Sequence, residues 1–534
     1  MTTTIGEHLV ELLVQRDVDT VFGIPGAHTI ELYRGLANSG IHHITPRHEQ
    51  GAGFMADGYA RTSGKPGVAF VITGPGMLNI ATPMAQAMAD SVPMLVIAGV
   101  NPRPYLGMGG GNLHELHRQL QVASSCSILS HTLSDARQLK PFLDKAFALF
   151  QSERPGPVYL EVPVDLFADS ASTERSAIPA VIARPAPSPA LLEQVATCIN
   201  AARTPLILVG GGASGASDAI QALAQTLSAP VVMTTNARGI LPAEHPLAVS
   251  ASPSLLAIRE LTAAADVVLA LGTEFGSTDY DMYERGEFQV DPVLIRVDID
   301  SRQVHSGCVA DIAVVADCQH FAQMLLPQLQ AREDNTAMAR AAAACGAAWQ
   351  ELDDDMQQDC KVLELLRRHF PAHAFVGDST QLTYAGNLYG GASAPHRWFN
   401  SATGFGALGY GVPAAIGAAI ASKNTTVCLI GDGGLQFCLS ELIVAVQEQA
   451  PVVFIVWNNQ GYGEIERYML GANIEPVGVA LHTPDFVAIA LAMGLDAIRP
   501  HNQEALEAAL VAARDSGKAT LIDIDEQMAR AMDL

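Results

Sequence analysis

Short runs of β-branched and aliphatic residues recur along the chain, each followed by a longer stretch with helical spacing of its apolar positions. Thr20-Val21-Phe22, Val68-Ala69-Phe70-Val71-Ile72, Met94-Leu95-Val96-Ile97-Ala98 and Leu206-Ile207-Leu208-Val209 are such runs. Strands that alternate with helices form parallel sheets joined by crossover helices, so the expected class is α/β. At 534 residues the chain is too long for one ordinary core and fits about three domains. A first unit, 1–168, closes just after Val158-Tyr159-Leu160-Glu161-Val162-Pro163. The stretch 170–190, rich in Ser, Pro and Ala, reads as a linker. A central unit spans 190–330. The segment 327–360 reads as an exposed helical connector, and a third unit spans 355–534.

Composition narrows the function. Hydrophobic residues make up 49% and charged residues only 16%, which suits large cores and interfaces. The net charge is −24, with 31 basic against 55 acidic side chains. That argues against nucleic acid, whose binding needs clustered Lys and Arg. The eight Cys form no CxxC pair and several lie in apolar runs, so reduced thiols are expected. No basic segment followed by an apolar one opens the chain, and Gly, Pro and Asp interrupt its longest apolar runs. A cytoplasmic protein without a signal peptide or a membrane span is therefore expected.

The chemistry concentrates near residue 432. Thr426-Val427-Cys428-Leu429-Ile430 reads as a buried strand ending at Gly431-Asp432-Gly433, and 435–449 reads as a helix. Val452-Val453-Phe454-Ile455-Val456-Trp457 reads as the next strand, ending at Asn458-Asn459-Gln460-Gly461. Asp432 and Asn459 thus stand at the carboxyl ends of two strands as hard oxygen ligands suited to Mg²⁺. Gly433 and Gly434 let backbone approach a diphosphate, and the helix start behind them favours anions.

At these residues the chain resembles the thiamine-diphosphate-dependent enzymes, the superfamily of acetolactate synthase, benzoylformate decarboxylase and pyruvate decarboxylase. The resemblance implies three doubly wound parallel-sheet domains of that enzyme type, binding the pyrimidine in the first and the diphosphate in the third. It implies Mg²⁺ held by Asp432, Asn459 and the Gly461 carbonyl. Tyr462 and Gly463 continue the same loop beside the cofactor. Glu49, in Arg47-His48-Glu49-Gln50-Gly51, matches the Glu that hydrogen-bonds the aminopyrimidine N1′ and so activates the thiazolium; read alone, it is a helix-start Glu. In Phe405-Gly406-Ala407-Leu408, Gly406 matches the carbonyl that receives the aminopyrimidine N4′, and Leu408 the apolar wedge that bends the cofactor. Asp378-Ser379-Thr380-Gln381 matches the loop touching the diphosphate, or is an ordinary helix cap. Gly74-Pro75-Gly76 with Asn79 matches a turn of acetolactate synthase-like chains. Three glycines at Gly210-Gly211-Gly212 carry no separate FAD signature.

The substrate side matches none of these three pockets as a whole. His28 and His114 lie on loops expected near the thiazolium and are either catalytic or loop histidines bonded to backbone. Ile72 stands where benzoylformate decarboxylases carry a catalytic His. Glu464, just past the metal loop, stands where the decarboxylases place an apolar lining residue. A carboxylate there could pair with a guanidinium, while Glu466 and Arg467 read as solvent-exposed helix charges. The acidic stretch with 274–279, Asp281, Glu284 and Glu287 reads mainly as a solvated loop.

Within the superfamily, Leu113-His114-Glu115-Leu116, Glu475-Pro476-Val477-Gly478-Val479 and Thr483-Pro484-Asp485-Phe486 look most like 5-guanidino-2-oxopentanoate (2-ketoarginine) decarboxylases. The implied activity is non-oxidative decarboxylation of a 2-oxo acid to an aldehyde and CO₂ through a thiamine-bound enamine. Carboligation of the acetolactate synthase type and a catalytically silent homologue are the alternatives; intact Glu49, Asp432 and Asn459 speak against the second. The resemblance also implies a homo-oligomer, dimer or tetramer, with active sites at subunit interfaces.

Overall fold

The computed structural model describes residues 3–171, 180–280, 285–332, 334 and 336–534. It contains three six-stranded, all-parallel sheets, as the alternation of strand and helix predicts. The first is built from β1 Thr20–Gly23, β2 His42–Ile44, β3 Gly67–Val71, β4 Met94–Val100, β5 Leu129–Thr132 and β6 Pro157–Pro163, in the order β2-β1-β3-β4-β6-β5. The central sheet uses β7 Leu206–Val209, β8 Val231–Met233, β9 Ala248–Val249, β10 Val267–Leu271, β11 Val293–Asp298 and β12 Ile312–Val315, ordered β12-β11-β10-β7-β8-β9. The third uses β13 Ala374–Gly377, β14 Trp398–Asn400, β15 Thr426–Gly431, β16 Val452–Asn458, β17 Asp496–Ile498 and β18 Thr520–Asp525, ordered β14-β13-β15-β16-β18-β17. The first and third sheets therefore share one topology. Among the described residues, no helix is long and apolar enough to cross a membrane.

The two-residue period of a strand explains how the cores divide. Val21, Val68, Phe70, Leu95 and Ile97 face one cluster of the first domain. Their neighbours Phe22, Ala69, Val71, Val96 and Ala98 face the other way. On that side they meet Val376, Cys428, Ile430, Phe454 and Val456 from the third sheet in one shared core. Two helices fill that core, Glu49–Ser63 and Gly411–Ser422. They cross backbone to backbone: a Cβ on Gly58 would fall 1.9 Å from the Ala414 carbonyl oxygen, and one on Gly417 2.0 Å from that of Met55. No side chain larger than hydrogen fits at either point.

The central domain uses its glycines differently. Gly210 and Gly212 lie against Gly272 of the neighbouring turn, where a Cβ on Gly210 would meet the Gly272 oxygen at 2.2 Å. The Gly212 amide donates to that same oxygen (3.1 Å). Here the triple glycine packs one turn on another.

Two readings from sequence change. The connector is not exposed along its length: Thr336–Gln350 buries Ala337, Ala341, Ala344 and Ala348 along one face, packed mainly against the central domain. A stripe of methyl groups lets the helix lie close to its support, and Ala-rich composition alone does not reveal which face is covered. The single helix expected over 435–449 is broken into Asp432–Gln436, a 3₁₀ turn Leu439–Glu441 and Leu442–Gln447. The break aims Glu441 at the first domain.

One buried guanidinium contacts all three domains. Arg61 donates to Asp57 (2.7 Å) and Asp90 (2.7 Å) of its own domain and to Asn236 (3.3 Å) of the central one. It also lies over the Phe399 ring of the third, 5.4 Å from its centroid. Tyr410 donates to Asp57 (2.6 Å) and Thr403 to Asp90 (2.7 Å). Removing one member of a buried ion pair strands the others, at a cost of about 3–5 kcal/mol. Arg61→Ala is expected to lower apparent stability in urea by that order and to separate the unfolding of the domains. An unfolding curve that overlays the wild type would refute this reading.

Candidate functional site

β15 and β16 pair in parallel to their ends, Gly431 opposite Trp457. The residues that follow, Asp432 and Asn459, are therefore neighbours, with the Asn459 amide 3.4 Å from Asp432 Oδ1. Thr483 donates its hydroxyl to Asp432 Oδ2 (2.9 Å). Asp432 is 1% exposed, and burial raises the pKa of its carboxyl. Among the described residues only neutral groups contact that carboxylate. A buried carboxylate with no counter-charge, beside an amide and a free-standing loop, is a donor set that suits a hard divalent cation. Gly461 closes the group through a bridge to Ala480. A Cβ on Gly433 would strike the Tyr462 ring at 2.7 Å, and one on Gly463 the Asn459 side-chain nitrogen at 2.7 Å. The loop is thus folded tightly around this pocket, and the residues present fit a metal-diphosphate group.

The Asp378 loop divides its labour. Asp378 is wholly buried and accepts from the amides of Ser379 (2.9 Å) and Gly411 (2.9 Å), so its carboxylate serves the helix start at Gly411. Burial pushes its pKa up to about 6. Thr380 lies beside Gly431, 3.2 Å from where a Cβ would stand. Gln381 donates to Glu464 (3.1 Å), while its Oε1 is buried without a partner. Glu464, in the first turn of Gly463–Gly471, also pairs with Arg467. Glu466 and Arg467 are exposed on the helix as the sequence predicts, with Arg467 paired to Glu464, which is therefore not an unpartnered carboxylate. Three residues of spacing on a helix bring such a pair together.

Gly406 adopts a left-handed φ of +75° with open space around it. Leu408 follows on the same loop, its carbonyl 3.4 Å from Gln50 Nε2. Gln50 is the neighbour of Glu49, whose own carboxylate accepts from Asn79 (2.9 Å). Nearby, His28 and His114 meet edge to face at 5.4 Å between ring centres. His28 is buried, its Nδ1 has no partner, and burial together with His114 lowers its pKa. It is therefore neutral at pH 7. His114 has φ +57°, and its carbonyl presses on Gly74, where a Cβ would fall 2.3 Å away. Gln119 fixes that turn by accepting from the Gly74 amide (2.8 Å) and donating to the Gly99 carbonyl (3.2 Å). Ile72 packs under Gly26, so an apolar group occupies the floor of this cluster.

Two half-sites result. Glu49, Asn79, His28 and His114 form one on the first domain; Asp432, Asn459, Gly461, Thr483, Gln381 and Glu464 form the other on the third. Among the described residues, no hydrogen bond, ion pair or ring contact joins them. Among the described residues, no hydrogen bond or ion pair joins the acidic side chains of the central stretch to either half-site. Asp279 accepts from the Thr235 amide (3.1 Å) with its pKa raised by burial to about 6, and Glu274 pairs with Arg154 (2.7 Å), so neither is simply solvated. Asp281 and Glu284 lie outside the described residues.

A fold of three parallel-sheet domains, with polar ligands at adjacent strand ends, defines an enzyme that builds its site from loops at the carboxyl edges of its sheets. Comparison with known proteins makes this specific. Residues 3–124 match the N-terminal TPP binding domain of thiamine pyrophosphate enzymes, 192–325 their central domain and 378–524 their C-terminal TPP binding domain. A probable 2-ketoarginine decarboxylase of Pseudomonas aeruginosa is 43% identical over 99% of this chain and 95% of its own length. The acetolactate synthase isozyme 1 large subunit of Escherichia coli is 30% identical over 95% of this chain and 91% of its own. A chloroplastic acetolactate synthase 1 of Oryza sativa is 30% identical over 97% and 83%. The chain belongs to the thiamine pyrophosphate enzyme family.

Sequence reasoning assigned no role to Thr483, Gln119 or Glu441. Glu441 is 1% exposed and accepts from the amides of Arg47 (3.0 Å) and His48 (2.9 Å), immediately before Glu49. It anchors the start of the helix that carries Glu49 to the third domain. Burial pushes its pKa from 4.5 up to about 7. The folded chain then holds this proton more tightly than the unfolded one, so this group's contribution to stability is fully present below pH 4.5 and is lost as pH rises through about 7. The full effect is about 3 kcal/mol. Glu441→Gln is expected to abolish it: between pH 5.5 and 7.5, wild type should lose urea stability relative to the variant. Parallel pH profiles would contradict this assignment.

Proposed function

We propose that the protein is a thiamine diphosphate- and Mg²⁺-dependent, non-oxidative 2-oxo acid decarboxylase acting on 5-guanidino-2-oxopentanoate (2-ketoarginine). The observation that carries this reading is the pairing of Asp432 with Asn459 at adjacent strand ends, with Glu464 on the helix that leaves the same loop. Full-length similarity to a probable 2-ketoarginine decarboxylase supports the substrate. Similarity to acetolactate synthases is more distant, which makes carboligation the second outcome to test.

Asp432, Asn459 and the Gly461 carbonyl would hold Mg²⁺. Gly433, Gly434, Thr380, Gln381, Tyr462 and Gly463 would surround the diphosphate. Gly406 and Leu408 would face the rings. When bound, thiamine diphosphate supplies the carbon nucleophile and the electron sink for loss of CO₂. Glu49 would hold a proton at the aminopyrimidine N1′, with Asn79 fixing its carboxylate. Neutral His28, touching His114, is suited to pass a proton at the substrate carbon or oxygen. Glu464 would exchange its Arg467 contact for the substrate guanidinium, and Gln381 would keep the carboxylate aimed inward.

The separation of the half-sites supports a second copy of the chain completing each site. Large apolar side chains stand exposed around them: Leu78 49%, Leu113 62%, Phe405 49% and Phe437 55%. Co-assembly provides a test. Glu49→Gln and Asp432→Ala should each abolish decarboxylation, yet their random mixture should regain about a quarter of wild-type activity, because a mixed dimer keeps one site whole. No recovery would place each site within one chain.

The substrate is tested by product analysis over a panel of 2-oxo acids. CO₂ with 4-guanidinobutanal is the expected outcome; a hydroxy-oxo acid product would identify a carboligase, and no turnover a silent homologue. Glu464→Ala should lower kcat/KM for the guanidino acid relative to 2-oxohexanoate by about 2 kcal/mol or more. An unchanged ratio would remove Glu464 from substrate recognition.

A further inference from the structure

A cavity of about 530 Å³ opens at the junction of the central and third domains. Its walls come from the helix Asp354–His369, from 389–398, and from central-domain residues 243–250. No residue of either half-site lines it, and neither does the triple-glycine turn of the central domain. Lys361, Arg367, Arg368 and Arg397 converge there, against the carboxylates Glu244 and Glu364. In a chain with 55 acidic and 31 basic residues, this local excess of cations runs against the composition.

Arg367 is the informative member. Its guanidinium lies over the Trp398 ring, 5.1 Å from the centroid. It presses on the backbone of Gly390, where a Cβ would fall 2.5 Å from Nη1. Among the described residues it has no hydrogen-bond or ion-pair partner. Burial lowers its pKa to about 10. Behind it, Arg238 is 1% exposed and donates to the Asn387 carbonyl (2.8 Å), while its Nε and Nη1 are unpartnered. The two guanidinia repel one another. The buried hydroxyl of Ser250 lines the cavity and also lacks a partner. A part-exposed guanidinium without a partner on a cavity wall, backed by the buried Arg238, suits an anion. Guanidinium groups suit phosphoryl oxygens in particular. Trp349 and Tyr389 also line the cavity and form a half-buried edge-to-face pair, 5.1 Å between centres. Both rings are part-exposed and line the cavity, so either face can take a ring.

We propose that this cavity binds a nucleoside phosphate, its phosphoryl groups held by Arg367, Arg397 and the Lys361–Arg368 face, its base against Trp349 and Tyr389. The seam behind the cavity is closed by backbone: Gly390 donates to the Ser250 carbonyl (2.9 Å) and Ser252 to that of Leu388 (2.8 Å). A ligand here would span two domains already fixed to each other.

The test uses the full-length enzyme saturated with thiamine diphosphate and Mg²⁺, so that its own diphosphate site is filled. Two of the chain's three tryptophans, Trp349 and Trp398, line the cavity, which makes intrinsic fluorescence a direct readout. Titration with ADP should change that emission saturably, and inorganic phosphate should bind at least tenfold more weakly. A double charge reversal at exposed positions, Lys361→Glu with Arg368→Glu, should weaken ADP binding at least tenfold and leave basal kcat within twofold. Trp349→Phe should remove part of the signal. No saturable response to ADP, an equal affinity for phosphate, or unchanged binding in the charge-reversed variant would each overturn the proposal.

Discussion

The docking of the three domains centres on the burial of one positive charge. Arg61 holds two aspartates, Asp57 and Asp90, and each aspartate is also held by a hydroxyl from the third domain. The same guanidinium reaches Asn236 of the central domain. Taking these charges out of water is unfavourable unless all partners are present together. The arrangement therefore exists only when the three domains are docked. Helix Glu49–Ser63 carries both Asp57 and Arg61, and its first residue is the candidate proton-holding Glu49. Interdomain docking and placement of that carboxylate are one event.

Function then rests on loops held against a stiff frame. β15 and β16 put Asp432 and Asn459 side by side without side-chain adjustment. Glu441 fixes the start of the Glu49 helix from the third domain, while Gln119 fixes the Gly74 turn under His114. Left-handed backbone at His114 and Gln460, which few non-glycine residues adopt, occurs in the loops that carry the candidate site. Strain of this kind persists where neighbours impose it, and here Gly74 and Gln119 do so for His114.

The α/β class and the meeting of Asp432 with Asn459 at adjacent strand ends were legible in the chain because their signals are local. An apolar run, a Gly-Asp-Gly turn, a helix and a second apolar run occupy consecutive positions, and the resemblance of the motif to a family extended that reading. What was not legible depends on distant partners. Glu441 and Arg47 lie 394 positions apart, and nothing around either announces the other. The break at Leu439–Glu441 follows from that contact, so a continuous helix was the natural expectation. The Ala-rich connector read as exposed because alanine gives no amphipathic contrast, although one face of it is covered. His28 and His114 were both picked out, but not their edge-to-face contact. Glu464 was singled out without its Arg467 partner, which depends on the rotamers of two long side chains.

The crossing of Glu49–Ser63 with Gly411–Ser422 has a consequence for how such a protein can change. At Gly58 and Gly417 the two helices touch through backbone alone, and no rotamer or methylene is available there for gradual adjustment. Ordinary drift in core volume cannot slide the first domain along the third. The relative position of the domains is held constant while stretches that leave the sheets beyond the candidate site residues, such as 103–112 and 470–478, have more room to vary in length and charge. New substrate preferences can then accumulate in those segments without disturbing the alignment of the two domains, which makes this architecture permissive to evolutionary change in specificity and resistant to change in its frame.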